Sequence, residues 1–318
     1  MQVVITGSIA FDYLMSFPGR FSDHLLADQL DKVSVSFLVD AMRVERGGVA
    51  PNIAYTNALL GGNPRIMASA GADFEEYGIW LEERGVDTSG IVVFEGDYCA
   101  SFFVNTDQNQ NQIASFYTGA MAKASHLTFA ENGGEPDLVT ISPNDPQAMI
   151  AYVNECKQAG IQYIYDPSQQ IIRLSGEEIY SGIDGCYLLT VNEYELSMIS
   201  EKTGLSESGV IDLAGGLVLT LGSQGSRIVK DGKIAEIPIV PVQNITDPTG
   251  AGDAYRGGLI RAIQLDLPWE VAGRMGALAS AYVLESLGPQ GHSYSKQLFI
   301  ERYRENFDDE GALDILLR

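Results

Sequence analysis

Apolar and polar positions along the chain change their period repeatedly, and each change marks an element. Residues 2–7 build toward an apolar strand that ends at Gly7. A helical run covers 52–60 and stops at Gly61-Gly62. Residues 65–70 read as a strand, and 75–84 as a helix stopped by Gly85. The order then recurs. Residues 138–142 predict a strand, 146–159 a helix and 161–165 a strand, followed by a strand at 187–191, a helix at 193–200 and a strand at 217–221. Two helices, 251–264 and 269–287, close the pattern. Strands alternating with helices predict an α/β sheet that is mostly parallel.

Two segments break this rhythm. Residues 33–46 and 98–118 have strand character with polar turns, the second with a polar tip at 107–112. They read as strand pairs outside the core, forming a small lid or a dimer surface, or else plain surface hairpins. No internal repeat, low-complexity tract or linker interrupts the 318 residues. The expectation is one domain over 1–318, with lid strands inserted at about 13–46 and 97–119.

Composition removes several function classes. Asp and Glu number 42 against 20 Lys and Arg, a formal net charge of −22. That balance argues against nucleic-acid binding, which needs stripes of basic residues, and against charge-driven docking on anionic membranes. The N-terminus lacks a basic segment followed by a long apolar run, and no stretch reaches the roughly 20 apolar residues of a membrane span. Cys99, Cys156 and Cys186 are scattered and form no C-x-x-C pair, which suits a reducing cytoplasm. His24, His126 and His292 lie far apart, so a zinc site is not expected.

Five fragments carry chemistry. The most specific is Asp247-Pro248-Thr249-Gly250-Ala251-Gly252-Asp253, with a helical run directly after it. Gly250 and Gly252 let backbone approach a ligand closely, and successive N–H groups at a helix start form an anion site that needs no lysine. Asp253 falls in the first turn, where an ionised carboxylate can serve as general base toward a hydroxyl attacking phosphorus. In Arg46-Gly47-Gly48-Val49-Ala50-Pro51-Asn52, the glycine pair could hold a ligand against bare backbone and Asn52 offers donor and acceptor, although a hairpin turn leading into a helix reads the same way. Gly7-Ser8-Ile9-Ala10-Phe11-Asp12 follows the first strand, at the end where α/β sheets bind ligands. Asp12 there can accept two hydrogen bonds from a vicinal diol, or be a loop carboxylate. Asn192 and Glu195, three apart at a helix start, could order the water shell of Mg2+ or simply cap the helix. Thr220, Gly222 and Gly225 sit in a turn between two strands.

In this order and spacing the five fragments resemble the ribokinase-like (PfkB) family of small-molecule kinases, over essentially the whole chain. The resemblance implies a three-layer α/β/α core with a mostly parallel sheet and a small β-strand lid, and ATP-dependent phosphorylation of a primary alcohol. It implies Asp253 as catalytic base, with Gly250, Ala251 and Gly252 as the anion hole. Asp12, Gly47, Gly48 and Asn52 are then substrate-binding, Asn192 and Glu195 serve phosphate and Mg2+, and Thr220, Gly222 and Gly225 lie along ATP. Asp247 matches one position of a K+ site. Further stretches, Phe17-Pro18-Gly19-Arg20-Phe21, Ser36-Phe37-Leu38-Val39-Asp40, 112–117 and Asp166-Pro167-Ser168-Gln169-Gln170, are similar to adenosine kinases of the actinobacterial type. In that group lid aromatics sandwich the purine, which implies Phe102 and Phe116 here, with Gln169 and Gln170 facing the base edge and Ser8 touching the nucleoside. Aromatic faces stack on purines and amides can pair with their edges. The acceptor implied is adenosine, in purine salvage; separately, the free edges of the lid strands predict a homodimer formed through them. The alternatives are a sugar kinase of the same family for ribose or fructose, and a non-catalytic nucleoside-binding protein on this fold.

Overall fold

The computed structural model describes residues 1–25 and 34–318. The main sheet has nine strands: β1 Val3–Thr6, β4 Arg65–Gly71, β5 Asp87–Phe94, β8 Leu138–Ile141, β9 Gln162–Tyr165, β10 Leu188–Asn192, β11 Gly216–Thr220, β12 Ser226–Lys230 and β13 Lys233–Ile237. Their spatial order is β13-β12-β11-β10-β9-β8-β1-β4-β5. From β11 to β5 every pair is parallel, and β12 and β13 extend the sheet antiparallel.

Strand periodicity sorts the core into two layers. Val3, Ile5, Ile66, Leu188 and Val218 face α1 Val49–Leu59, α2 Glu75–Glu82, α7 Ala251–Gln264, α8 Trp269–Leu284 and α9 Lys296–Asn306. Val4, Val139, Tyr163, Leu189 and Leu217 face α3 Pro146–Ala159, α4 Gly176–Ile183, α5 Glu193–Thr203 and α6 Glu207–Leu213. Near-continuous apolar strands covered on both faces are what a parallel sheet requires. The α/β/α core with a mostly parallel sheet is therefore as the sequence implied. Glycines bring the helices together: a Cβ on Gly257 would lie 2.6 Å from Cβ of Thr56 on α1, and one on Gly258 would lie 2.8 Å from the Met275 carbonyl on α8.

A second sheet, ordered β3-β2-β6-β7, holds β2 Ala10–Ser16, β3 Ala41–Gly47, β6 Ala100–Thr106 and β7 Gln112–Tyr117. Here the structure corrects the expected strand pairs. The 98–118 segment is a hairpin, its turn closed by Asp107, which accepts from the amides of Asn109 and Asn111. The 33–46 segment is not a pair. Val33 lies outside the described residues, 34–40 are irregular, and only 41–47 is a strand. Its partner is β2, and β2 also pairs in parallel with β6. Asp12 is thus on a strand and not in a loop. The stretch Ala10–Ser16 hides its period because Phe11, Tyr13 and Leu14 put apolar groups on both faces. Residues 34–40 lose their strand because Phe37 instead packs edge-on against Phe17 and Phe21, with ring centroids 5.1 and 4.9 Å away.

Candidate active site

The carboxyl ends of β1, β9, β10 and β11 deliver Ser8, Asp166, Asn192 and Thr220 to one edge of the sheet, and α7 starts beside them. Gly250 caps α7 with φ +82°, a left-handed conformation, and a Cβ there would lie 2.5 Å from Pro289. Only glycine meets both conditions. The Ala251 amide donates to the Pro248 carbonyl at 3.2 Å, while Gly252 and Asp253 lie in the first helical turn, whose amides lack intrahelical acceptors.

Asp253 is the centre of a buried network. Its Oδ2 accepts from Asn52 Nδ2 at 2.9 Å, and its Oδ1 accepts from Arg256 Nη1 at 3.2 Å. Burial raises Asp253 to about 6, although Arg256 and the Asn52 hydrogen bond pull it back down. Asn52 in turn accepts from Gln290 Nε2 at 2.8 Å, and the same nitrogen lies 2.6 Å from Tyr77 Oη, which donates to the Gly47 carbonyl at 3.0 Å. Arg256 spans the site. Its Nη2 donates to Asp166 Oδ1 at 2.7 Å and to Ser168 Oγ at 2.9 Å, and its Nε reaches Thr190 at 3.4 Å. Asp166 is 0% exposed, so Arg256 is its neutralising partner. Ser168 sits at φ +37°, unusual for a residue with a side chain, and its hydroxyl donates to Asp166 at 2.6 Å.

The lid meets this network at Gly47 and Gly48. Gly48 has φ +95°, and a Cβ there would lie 2.4 Å from the Ser8 carbonyl oxygen. Ser8 Oγ accepts the Val49 amide at 3.3 Å, so it braces the start of α1. Glu45, Asp12, Phe102 and Phe116 occupy one cross-strand row and therefore one face of the lid. Burial raises Asp12 to about 6, with Glu45 and Asp247 adding to it. Phe116 is 53% exposed. Gln170 is buried with its Oε1 unpartnered, and its neighbour Gln169 is exposed, both in the turn Ser168–Ile172 after β9.

Beyond α7 two cavities adjoin. One, of about 220 Å3, is lined by Ser168, Thr190, Asn192, Glu195, Gly252 and Arg256 among others. The other, of about 560 Å3, is mainly apolar. Its walls include Gly222, Gly225, Val240, Ala277 and Leu284, and it shares Thr220, Gly252 and Tyr255 with the first. Asn192 and Glu195 do what a cap does: each side chain accepts the other's amide at 2.8 Å. They also line the smaller cavity. Among the described residues no cluster of three or more His, Cys, Asp or Glu side chains could hold a metal. Asp247 spends its oxygens on the Thr249 and Gly288 amides at 2.9 and 3.2 Å, and these bonds lower its pKa against the effect of burial. The K+ expectation rests on the resemblance alone.

Sequence reading missed Arg256, Asp166, Tyr77 and Gln290. Arg256 had a usable signal, since it is three residues after Asp253 and so shares its helix face. The others contribute through contacts remote in sequence.

A model of pfkB family carbohydrate kinases matches residues 10–296 of the chain. A nucleoside kinase of Methanothermobacter thermautotrophicus is 29% identical over 296 residues, 91% of either chain. The ligand-free nucleoside kinase of Burkholderia thailandensis superposes with a TM-score of 0.87 at 35% identity, over 95% of this chain and 99% of that one. The same Burkholderia protein in complex with ADP-inosine superposes with a TM-score of 0.83, over 96% of both chains.

Proposed function

Because the chain belongs to the pfkB family of carbohydrate kinases, we propose that it transfers the γ-phosphoryl group of ATP to the 5′-hydroxyl of a nucleoside, with adenosine as acceptor. One observation carries this reading. A buried carboxylate in the first turn of α7 is tied through Asn52, Gln290 and Tyr77 to the lid at Gly47, and one row of the lid combines Asp12 and Glu45 with two aromatic rings. The relatives named as nucleoside kinases support it.

In this reading the lid row and the sheet edge divide the acceptor between them. Phe102 and Phe116 stack on the base, Asp12 with the Gly47-Gly48 backbone and Asn52 takes the ribose hydroxyls, and Ser8 lines the ribose end. The unpartnered Gln170 Oε1 suits an N–H donor on a purine edge, beside Gln169. Asp253 takes the 5′-hydroxyl proton as that oxygen bonds to the γ-phosphorus, and the bond to the β-phosphate oxygen breaks to release ADP. Amides at the start of α7, over 250–253, stabilise charge on the moving group. The apolar cavity holds the adenine of ATP against Thr220, Gly222 and Gly225, and its phosphates run past Asn192 toward Gly252. Asn192 and Glu195 would hold Mg2+ through its water shell, and the ion would supply charge neutralisation on those phosphates. The family contains sugar kinases, but two rings on the lid face favour a flat base over a bare sugar.

The lid edge strands expose Met42, Val44, Ile113 and Tyr117, which supports the expected homodimer. Among the described residues no helix is long and apolar enough to cross a membrane.

Phe116→Ala tests the stacking role. It should weaken adenosine by roughly 1–3 kcal/mol and leave ribose turnover nearly unchanged. KM measured for both acceptors decides this, and an equal loss for both would remove Phe116 from base recognition.

A further inference from the structure

Ser168 holds a backbone conformation that its residue type disfavours. Its φ of +37° lies in the left-handed region, where a side chain is strained and glycine is not. The residue is buried and opens the turn Ser168–Ile172 that follows β9. Such strain persists only where the surroundings hold it in place, and it collects at functional sites. What serine adds over glycine at this position is one hydroxyl.

That hydroxyl has two partners, and both belong to the network around Asp253. It donates to Asp166 Oδ1 at 2.6 Å and accepts from Arg256 Nη2 at 2.9 Å. The same Nη2 donates to Asp166 Oδ1 at 2.7 Å. One end of the guanidinium is thus clamped by the turn. The other end, Nη1, donates to Asp253 Oδ1 at 3.2 Å and lies 3.3 Å from where a Cβ on Gly252 would stand. Because the guanidinium is a planar, rigid fork, fixing Nη2 fixes the direction of Nη1. Ser168, Gly252 and Arg256 all line the cavity of about 220 Å3.

We propose, resting on the phosphoryl transfer proposed above, that Ser168 is a positioning residue: its hydroxyl aims Arg256 and, through Arg256, the Asp253 carboxylate. The strained backbone brings that hydroxyl to Asp166 and Arg256 together.

The test compares Ser168→Ala and Ser168→Gly with the parent in adenosine turnover, KM and thermal unfolding, and adds the double variant of Ser168→Ala with Arg256→Gln. Both single variants lose the hydroxyl, and only glycine relieves the backbone. Both should lose kcat by about 10–100-fold while KM stays within about threefold of the parent's. Ser168→Gly should melt above Ser168→Ala. On top of Arg256→Gln, Ser168→Ala should cost less than about threefold more, because the hydroxyl then has no guanidinium to aim. A kcat near the parent's in both variants, a rise in KM with kcat kept, or the full loss recurring on top of Arg256→Gln would overturn the role. So would a loss confined to Ser168→Ala, which would trace the effect to backbone strain and not to the hydroxyl. An active parent matched by both variants fails Ser168 alone, whereas a parent that releases no ADP fails the kinase reading and this role with it.

Discussion

Asp253→Asn should cut turnover by about 10²–10⁴-fold while adenosine still binds within a few-fold of the parent. The amide keeps the size of the carboxylate and can still face Asn52 and Arg256, but it cannot accept the 5′-hydroxyl proton. The residual rate comes from the amides at the start of α7 and from positioning, which the substitution leaves in place. Single-turnover kinetics and equilibrium nucleoside binding on the same preparation give both numbers. Turnover near the parent's would remove Asp253 as the base.

Arg256→Gln should act through charge as well as packing. Arg256 holds Asp253 down against burial, so its loss raises Asp253 above the value of about 6. The proposed proton transfer needs the ionised carboxylate. The parent should therefore lose kcat as pH falls through about 6, and the variant should lose it at a pH about 1–3 units higher. Part of the lost rate should return in alkaline buffer. A role limited to packing would lower kcat equally at every pH, so the pH profile separates the two. The same raised value has a sign for stability. The folded state holds this proton more tightly than the unfolded chain, so the group favours folding at low pH and loses that contribution as pH rises through about 6. Arg256→Gln also strands Asp166, fully buried with Oδ2 already unpartnered. Removing one member of a buried ion pair costs about 3–5 kcal/mol, visible as a lower Tm. Arg256→Lys keeps the charge but not the fork that spans two carboxylates, and should fall between parent and Gln.

The sequence announced what local spacing determines. Gly250, Gly252 and Asp253 lie within four residues, and a helix follows at once, so the helix start could be read directly. Asn192 and Glu195 were equally visible as a cap and as a phosphate-side pair, because three-residue spacing serves both; the hydrogen bonds between them show the cap is made. Asp166 and Arg256 are 90 residues apart, and Asn52 and Gln290 are 238 apart. Nothing local marks such pairs, so the network around Asp253 was hidden. The short amphipathic helices α4, α6 and α9 went unmarked because a few apolar positions do not establish a period. Strand β5 was obscured by its polar start, Asp87-Thr88-Ser89. The lid was legible as extra strands but not as a sheet, since β2 pairs with β3 and β6 across long separations.

The most direct measurement is ADP release with adenosine, inosine, ribose and fructose as separate acceptors, each with and without Mg2+. The account predicts Mg2+-dependent release matched by nucleoside 5′-monophosphate, with kcat/KM for adenosine above inosine and far above both sugars. Preference for ribose or fructose, or no ADP release with any acceptor, would contradict it.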